Sequence, residues 1–296
     1  MILSILKEVH TIKSHTDKVT SLLILHDGRL ASCSADKTII LYCPISYAIN
    51  HILYGHNGEI THMIQLKNGK LVSCSTDKSI KIWNVDDCYC DYSIDNADCN
   101  ELTGLFELTD NRMATCSLGK NIIIWNSVFP YNMITILKSF SCIVTSLYKL
   151  RNKEELLSFS QDPNECTQVW SLSSYQNECV IKKVCCYNIN GVKEMNESRL
   201  IVGGFFKIYV VNTNEYKVEY TIVDIVFKQI NTFLCANSNN ILFGCGNGYI
   251  GIYNLLKKSI FIEQTSHVTN INCLVKSKMN AIISCSNDYL IKIWCM

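Results

Sequence analysis

Apolar and polar residues alternate along this chain in short runs, and the pattern is cleanest at Lys70 to Val85, KLVSCSTDKSIKIWNV. Leu71 to Cys74 is small and apolar, Ile80 to Trp83 alternates Ile, Lys, Ile, Trp, and a polar turn, Ser75-Thr76-Asp77-Lys78, separates them. Period-two alternation on both sides of a Ser/Thr/Asp turn predicts a β-hairpin with one buried face. A lone hairpin is marginal in water. Such a segment needs neighbours of its own kind.

The chain supplies them at a fixed period. The last residue of the second strand recurs as Tyr42, Trp83, Trp125, Trp170, Val211, Tyr253 and Trp294, at steps of 41 to 45 residues. An upstream marker keeps the same beat: V-T-S-L, I-T-H-M, L-T-G-L, V-T-S-L, I-N-G-V, I-N-T-F and I-N-C-L, with Thr20, Thr61, Thr103, Thr145, Asn190, Asn231 and Asn272 in second place. Two markers with one period make this a repeat protein. Each unit reads as a first strand (Val19 to Leu25 in the first), then a turn such as Asp27-Gly28, Asn68-Gly69 or Asp110-Asn111, dipeptides suited to a type I′ hairpin. A second strand, the polar turn, the aromatic-ended strand and a less regular fourth strand follow, the last for example at His51 to Tyr54 or Met133 to Leu137. Four antiparallel strands per ~40–45 residues is the blade of a β-propeller. His15, Gly55-His56 and His267 stand just ahead of their units' first strands.

On these residues the chain resembles the WD-repeat β-propellers over nearly its whole length. Trp83-Asn84, Trp125-Asn126 and Trp170-Ser171 occupy the place of the family's Trp-Asp pair, whose aspartate is absent throughout. The fifth repeat has Gly203-Gly204-Phe205-Phe206 for the polar turn and Val211 for Trp. The fourth carries two extra residues between Asp162 and Trp170, around Pro163. The resemblance implies an all-β fold, a seven-bladed β-propeller of four-stranded antiparallel blades in a single domain, residues 1–296. The blades are expected near 14–54, 55–95, 96–138, 139–184, 185–223, 224–264 and 265–296. The last unit stops just past its third strand, and Ser4 to Ile12 forms a spare strand. Residues 1–13 are therefore expected to supply the outer strand of blade 7 and close the ring, leaving no long open edge.

The resemblance also implies a buried hydrogen-bond network of His, Ser or Thr, Asp and Trp within a blade. The second repeat offers His56, Ser73 or Ser75, Asp77 and Trp83; the seventh offers His267, Ser284 or Ser286, Asp288 and Trp294. The first has His15, Ser32 or Ser34 and Asp36, but ends at Tyr42. The third has Gly119 in place of the aspartate and no histidine. The complete sets thus flank the seam.

Composition narrows the chemistry. With 48% apolar and 18% charged residues the chain has ample core material, and a net charge of +1 does not favour a nucleic-acid partner. No apolar run approaches the ~18 residues of a membrane span, and MILSILKEVHT lacks the charged flank and cleavage site of a signal peptide. Seventeen cysteines, an odd number without a C-x-x-C pair, suit neither a disulfide scaffold nor a zinc site. Cys33, Cys74, Cys116 and Cys285 recur inside S-C-S or T-C-S, so they read as small core residues. Reduced thiols imply a cytoplasmic or nuclear address. Cys88, Cys90 and the Cys185-Cys186 pair fall outside that pattern.

His-Ser-Asp alone would suggest a hydrolase triad, but three copies at one period point to structure, because an enzyme needs one site. Gly246-Asn247-Gly248-Tyr249-Ile250-Gly251 fits the dinucleotide pattern G-x-G-x-x-G, yet it runs into a strand where the fingerprint must open a helix. We expect no catalysis, cofactor or metal. The leading reading is a non-catalytic scaffold binding a protein or peptide through the rim and central opening, as a monomeric domain on its own or within a larger protein. The alternative is a substrate-recognition propeller for an acidic or phosphorylated motif in a ubiquitin ligase or other multi-subunit complex. That role needs an arginine-rich pocket, and Arg29, Arg112, Arg151 and Arg199 are scattered. The residue after each turn aspartate, or its equivalent, maps a candidate rim: Lys37, Lys78 and Lys120 over blades 1–3, then Phe206, Gly248 and Tyr289, with Phe205 and Tyr249 beside them and Gln161, Asn164 and Glu165 interrupting at blade 4. Acidic groups of a partner are expected toward the lysines and apolar groups on the aromatics.

Overall fold

The computed structural model describes residues 6–138, 143–160, 167–181, 184, 191–204, 207–223, 229–235, 240–254, 257 and 259–295. They form seven four-stranded antiparallel sheets arranged as the blades of a propeller. The innermost strands are Val19–Ile24, Ile60–Gln65, Leu102–Glu107, Val144–Lys149, Val192–Asn196, Ile230–Cys235 and Ile271–Lys276. In six blades the sheet order follows the chain outward. In the seventh the outermost strand is Lys7–Ile12, paired antiparallel with Ile291–Cys295. The ring is closed by strand exchange between the two ends of the domain.

The core lies between the blades. One apolar cluster joins Val72, Ile80 and Ile82 of blade 2 to Leu102, Met113 and Trp125 of blade 3; another joins Tyr42 and Leu30 of blade 1 to Ile283 and Ile293 of blade 7. Both faces of the middle strands are buried, as in Leu71–Ser75, where no residue reaches solvent. A buried sheet with two covered faces needs small residues to let the sheets approach, and Cys33, Cys74, Cys116 and Cys285 serve there as buried free thiols. Burial pushes the Cys74 and Cys116 thiols up to about 12, so they stay protonated and unreactive. Cys88 and Cys90 pack at the edge of the blade 1–blade 2 cluster. Cys185 and Cys186 lie outside the described residues.

The Thr/Asn marker has a mechanical role. At Thr20, Thr61, Thr103, Thr145, Asn231 and Asn272 the inner strand slips register against its neighbour, so the marker is the extra residue of a β-bulge. At five of these positions the side chain crosses to the next blade, while Thr145 Oγ1 donates to Phe159 O of its own sheet. Thr20 Oγ1 donates to Ile60 O (2.6 Å), Thr61 Oγ1 to Leu102 O (2.9 Å), Thr103 Oγ1 to Val144 O (3.1 Å) and Asn231 Nδ2 to Ile271 O (3.1 Å). Asn272 Nδ2 then donates to Val19 O across the seam, at 2.8 Å. Asn190 lies outside the described residues.

A second set of links runs along the opposite face and was not legible in the repeat pattern. Gln65 accepts from His26 N in blade 1 (2.7 Å), Glu107 from Lys67 N in blade 2 (3.0 Å) and Glu194 from Arg151 N in blade 4 (3.2 Å). Arg29, Arg112 and Lys153 reach forward to Val85 O, Leu172 O and Thr213 O of the following blades.

The turn chemistry corrects the type I′ expectation at two of three sites. Only Gly28 and Gly69 take positive φ in their turns, and Gly28 N bonds back to Leu25 O, which is a type I turn closed by a left-handed residue. Asp110 and Asn111 both have positive φ, as type I′ requires.

Removal of residues 1–13 exposes the edge of the last blade and strips Leu6 and Ile12 from their clusters, both under one-tenth exposed. Burying each such side chain contributes about 1.5–3 kcal/mol. The truncated chain is expected to lose about 3 kcal/mol or more and to melt well below the parent in a circular-dichroism scan; coincident curves would contradict a closing strand.

Candidate functional site

The turns joining second and third strands meet the His-bearing turns on one face of the disc. In blade 2, Trp83 Nε1 donates to Ser73 Oγ (2.8 Å), Ser73 Oγ lies 2.8 Å from His56 Nε2, and His56 Nδ1 lies 2.9 Å from Asp77 Oδ2. The indole can only donate, so Ser73 accepts from it and gives its own hydrogen to Nε2, which leaves Nδ1–H to face the carboxylate. Asp77 also accepts from Asn57 N, Ser79 N and Ser79 Oγ. Ser75, two residues along, acts on the backbone instead. Its Oγ accepts from Asp77 N and holds the turn.

Blade 7 repeats the arrangement with His267, Ser284, Asp288 and Trp294 at 2.8 Å spacings. Blade 1 joins His15 to Asp36 (2.7 Å) and Ser32 (2.6 Å), and the Tyr42 hydroxyl takes the indole's place, 3.0 Å from Ser32 and 2.6 Å from Ser14. In blade 3, Trp125 Nε1 donates to Thr115 Oγ1 at 2.9 Å, and Asp98, from the turn ahead of the blade, binds Ser117 at 2.7 Å. The missing turn aspartate is thus answered by an acid from another loop, with Gly119 N on the same serine. In the sequence Asp98 lies off both markers, so the period gave no signal for it.

These groups are committed to one another: every histidine nitrogen in the three networks is engaged within its blade. Burial pushes the Asp36 and Asp77 carboxyls up. The bonds from His15 with Thr38 and from His56 with Ser79 outweigh it and hold both well below the usual carboxylate range. Asp288 is lowered in the same way, by His267 against burial.

The residue after the turn acid or its counterpart sits in the left-handed region in each described case: Lys37 at φ 73°, Lys78 at 68°, Lys120 at 68°, Gly248 at 82° and Tyr289 at 69°. The conformation aims its side chain off the face. Lys37 and Lys120 are exposed, Lys78 is half-buried and Tyr289 is 47% exposed. Among the described residues none of these three ammonium groups has a hydrogen-bond or ion-pair partner. Tyr249 departs from its expected exposure. It is half-buried against the cluster of blades 5 and 6, because it begins a strand rather than tipping the turn. Phe205, Phe206, Gln161, Asn164 and Glu165 lie outside the described residues.

The glycine-rich segment is a hairpin turn, as its strand context requires. Gly248 closes the turn, where a β-carbon would lie 2.3 Å from His267 O, and a β-carbon at Gly251 would strike the Phe243 ring. Both glycines answer packing.

The family model for the WD domain, G-beta repeat, matches residues 6–43, 48–84 and 258–295. The chain carries WD repeats within a seven-bladed propeller. The matched segments end one residue past Tyr42, Trp83 and Trp294, in the three blades with a His–Asp pair, and four further four-stranded blades complete the ring. No curated protein matches the chain. Among the described residues no helix is long and apolar enough to cross a membrane.

Asp77→Ala orphans the buried His56 ring and the Asn57 amide. The WD-repeat chain should lose about 1–3 kcal/mol in urea denaturation, whereas a surface turn acid would cost nothing measurable. The depressed carboxyls also set a pH window. Each contributes stability above its unfolded value, near 4, and that contribution drains away as pH falls from there toward the lower folded value. Unfolding free energy is expected to decline below about pH 4, with a shallower decline in Asp77→Asn; equal slopes would remove Asp77 from the titration.

Proposed function

We propose that this propeller is a non-catalytic scaffold whose turn-bearing face receives an acidic segment of a partner protein. The observation that carries the reading is the contiguous row of unpaired cations on blades 1–3, Lys37, Lys78 and Lys120, with exposed Tyr289 beside it on blade 7. Their left-handed backbone fixes the base of each side chain while leaving the ammonium in water, ready to exchange solvent for carboxylates. Lysines act here as point charges, so they steer and orient a partner more than they select a geometry. Tyr289 supplies an aromatic anchor of the kind enriched in binding hot spots. Half-buried Tyr249 extends the proposed surface toward blade 6.

The ubiquitin-ligase alternative draws no support from the arginines. Arg29 pairs with Asp27, Arg112 with Glu154, Arg151 with Glu194 and Arg199 with Glu219, all at or next to first-to-second-strand turns on the opposite face.

Proteins captured from a lysate by the wild-type chain should be compared with those captured by a Lys37→Glu, Lys78→Glu, Lys120→Glu triple variant of matched melting temperature. A partner of this face is expected to bind the variant at least tenfold more weakly and to lose affinity with rising salt. Partners retained at full strength by the variant would move the interaction away from this face.

A further inference from the structure

The seven inner strands enclose a cavity of about 630 Å³ in the centre of the disc, toward the face opposite the lysine row. Its size falls in the ~300–1,000 Å³ range of small-molecule sites. The residue three places after each Thr or Asn marker lines it: Leu23, Ile64, Phe106, Tyr148, Leu234 and Val275 in six blades, Lys193 in the seventh. All are half-buried. The collar is therefore apolar except at one point, where an ammonium stands between Tyr148 of blade 4 and Leu234 of blade 6.

The other charged residues at this mouth are committed. Glu107 accepts from Lys67 N (3.0 Å), Lys149 donates to Leu150 O (2.8 Å) and Arg151 pairs with Glu194 (3.4 Å). Lys276 is engaged as well. Lys193 has no hydrogen-bond or ion-pair partner among the described residues. Beyond the collar the wall carries His62, 8% exposed, its ring stacked on Phe106 with centroids 5.8 Å apart. The Nδ1 atom of His62 has no hydrogen-bond partner among the described residues. Burial holds the imidazole down at about 4, so near neutral pH it is an uncharged ring with one unused hydrogen-bonding position. A half-buried ammonium without a partner among the described residues and a buried imidazole with its Nδ1 unpaired, lining one apolar cavity, form a built site with its polar anchors open.

We infer that the cavity binds a small organic acid, its apolar body within the six-residue collar, its carboxylate on Lys193 Nζ and a polar group within reach of His62. A threaded peptide suits the cavity poorly, because a collar of apolar side chains would leave its amide groups unsatisfied. The inference is independent of the lysine row, which lies on the other face.

The test is calorimetric titration of the full chain with decanoate, 1-decanol and decylamine, three probes that share a chain and differ in head group. Decanoate is expected to bind one per chain and at least tenfold more tightly than decanol, with decylamine weakest. Lys193→Gln should weaken decanoate about tenfold or more and leave decanol unchanged, as the loss of a charge-assisted hydrogen bond requires. Leu234→Trp, which fills the collar, should remove binding of both, and unchanged circular dichroism shows that each variant is folded. Equal decanoate affinity for parent and Lys193→Gln, preference for decylamine, or several molecules per chain would overturn the site. Displacement of decanoate by an apolar peptide with a free C-terminus, at lower concentration than decanoate itself, would overturn the small acid as occupant.

Discussion

A hydrogen bond that leaves its own sheet is the contact on which the disc depends. The bulged Thr or Asn of an inner strand leaves its own ladder, and at Thr20, Thr61, Thr103, Asn231 and Asn272 its side chain reaches the carbonyl just ahead of the next blade's bulge. Each such bond is worth only about 1 kcal/mol net. Its importance is positional. It sets the angle and height at which one twisted sheet meets the next, and the apolar clusters between blades pack only at that spacing. Because the last link runs from Asn272 to Val19, the series has no loose end at the seam.

The seam is also where polar reinforcement concentrates. Blades 7, 1 and 2 carry the His–Asp pairs, and the buried Lys292 joins Glu8 of the closing strand at 3.2 Å and Ser266 at 2.6 Å. A repeat array is held by nearest-neighbour interfaces, so a ring closed without a covalent bond is open to fraying where first and last units meet. Satisfied networks of buried polar groups tolerate little displacement before each member loses its partner. Their position beside the closure gives rigidity where the chain connection supplies none.

The two faces of the disc consequently differ. On one, left-handed turn residues stand over the networks and present Lys37, Lys78, Lys120 and Tyr289 to solvent. On the other, arginines and acids pair within and between blades, and among the described residues lining the central cavity the uncommitted charge is Lys193. A macromolecular partner suits the first surface and a small ligand the second, by size and by the placement of unsatisfied groups.

The period of Tyr42, Trp83, Trp125, Trp170, Val211, Tyr253 and Trp294 was enough to indicate seven blades and the all-β class, and the strand pattern of the first and last units indicated the closing strand. Hairpin alternation and turn chemistry are local properties that survive in one dimension. The histidine sets were legible for the same reason, since His, Ser and Asp sit at constant offsets within a unit. Which of two serines binds the imidazole was not legible: Ser73 and Ser75 lie two apart on one side of the strand, and only the place where the His56 ring packs decides that Ser73 meets it while Ser75 holds the turn. Asp98 substituting for the acid missing at Gly119 was equally hidden, because two loops meet there only in space. Tyr249 shows the limit from the other side, a turn-adjacent aromatic drawn into the cluster between blades 5 and 6 rather than left in water. The collar was spread over seven units in the sequence, one residue in each, and only closure of the ring brought Lys193 and its six apolar counterparts around one cavity. Local pattern decides what each strand is. Closure decides which side chains share a space, since that depends on distances between residues tens to hundreds apart.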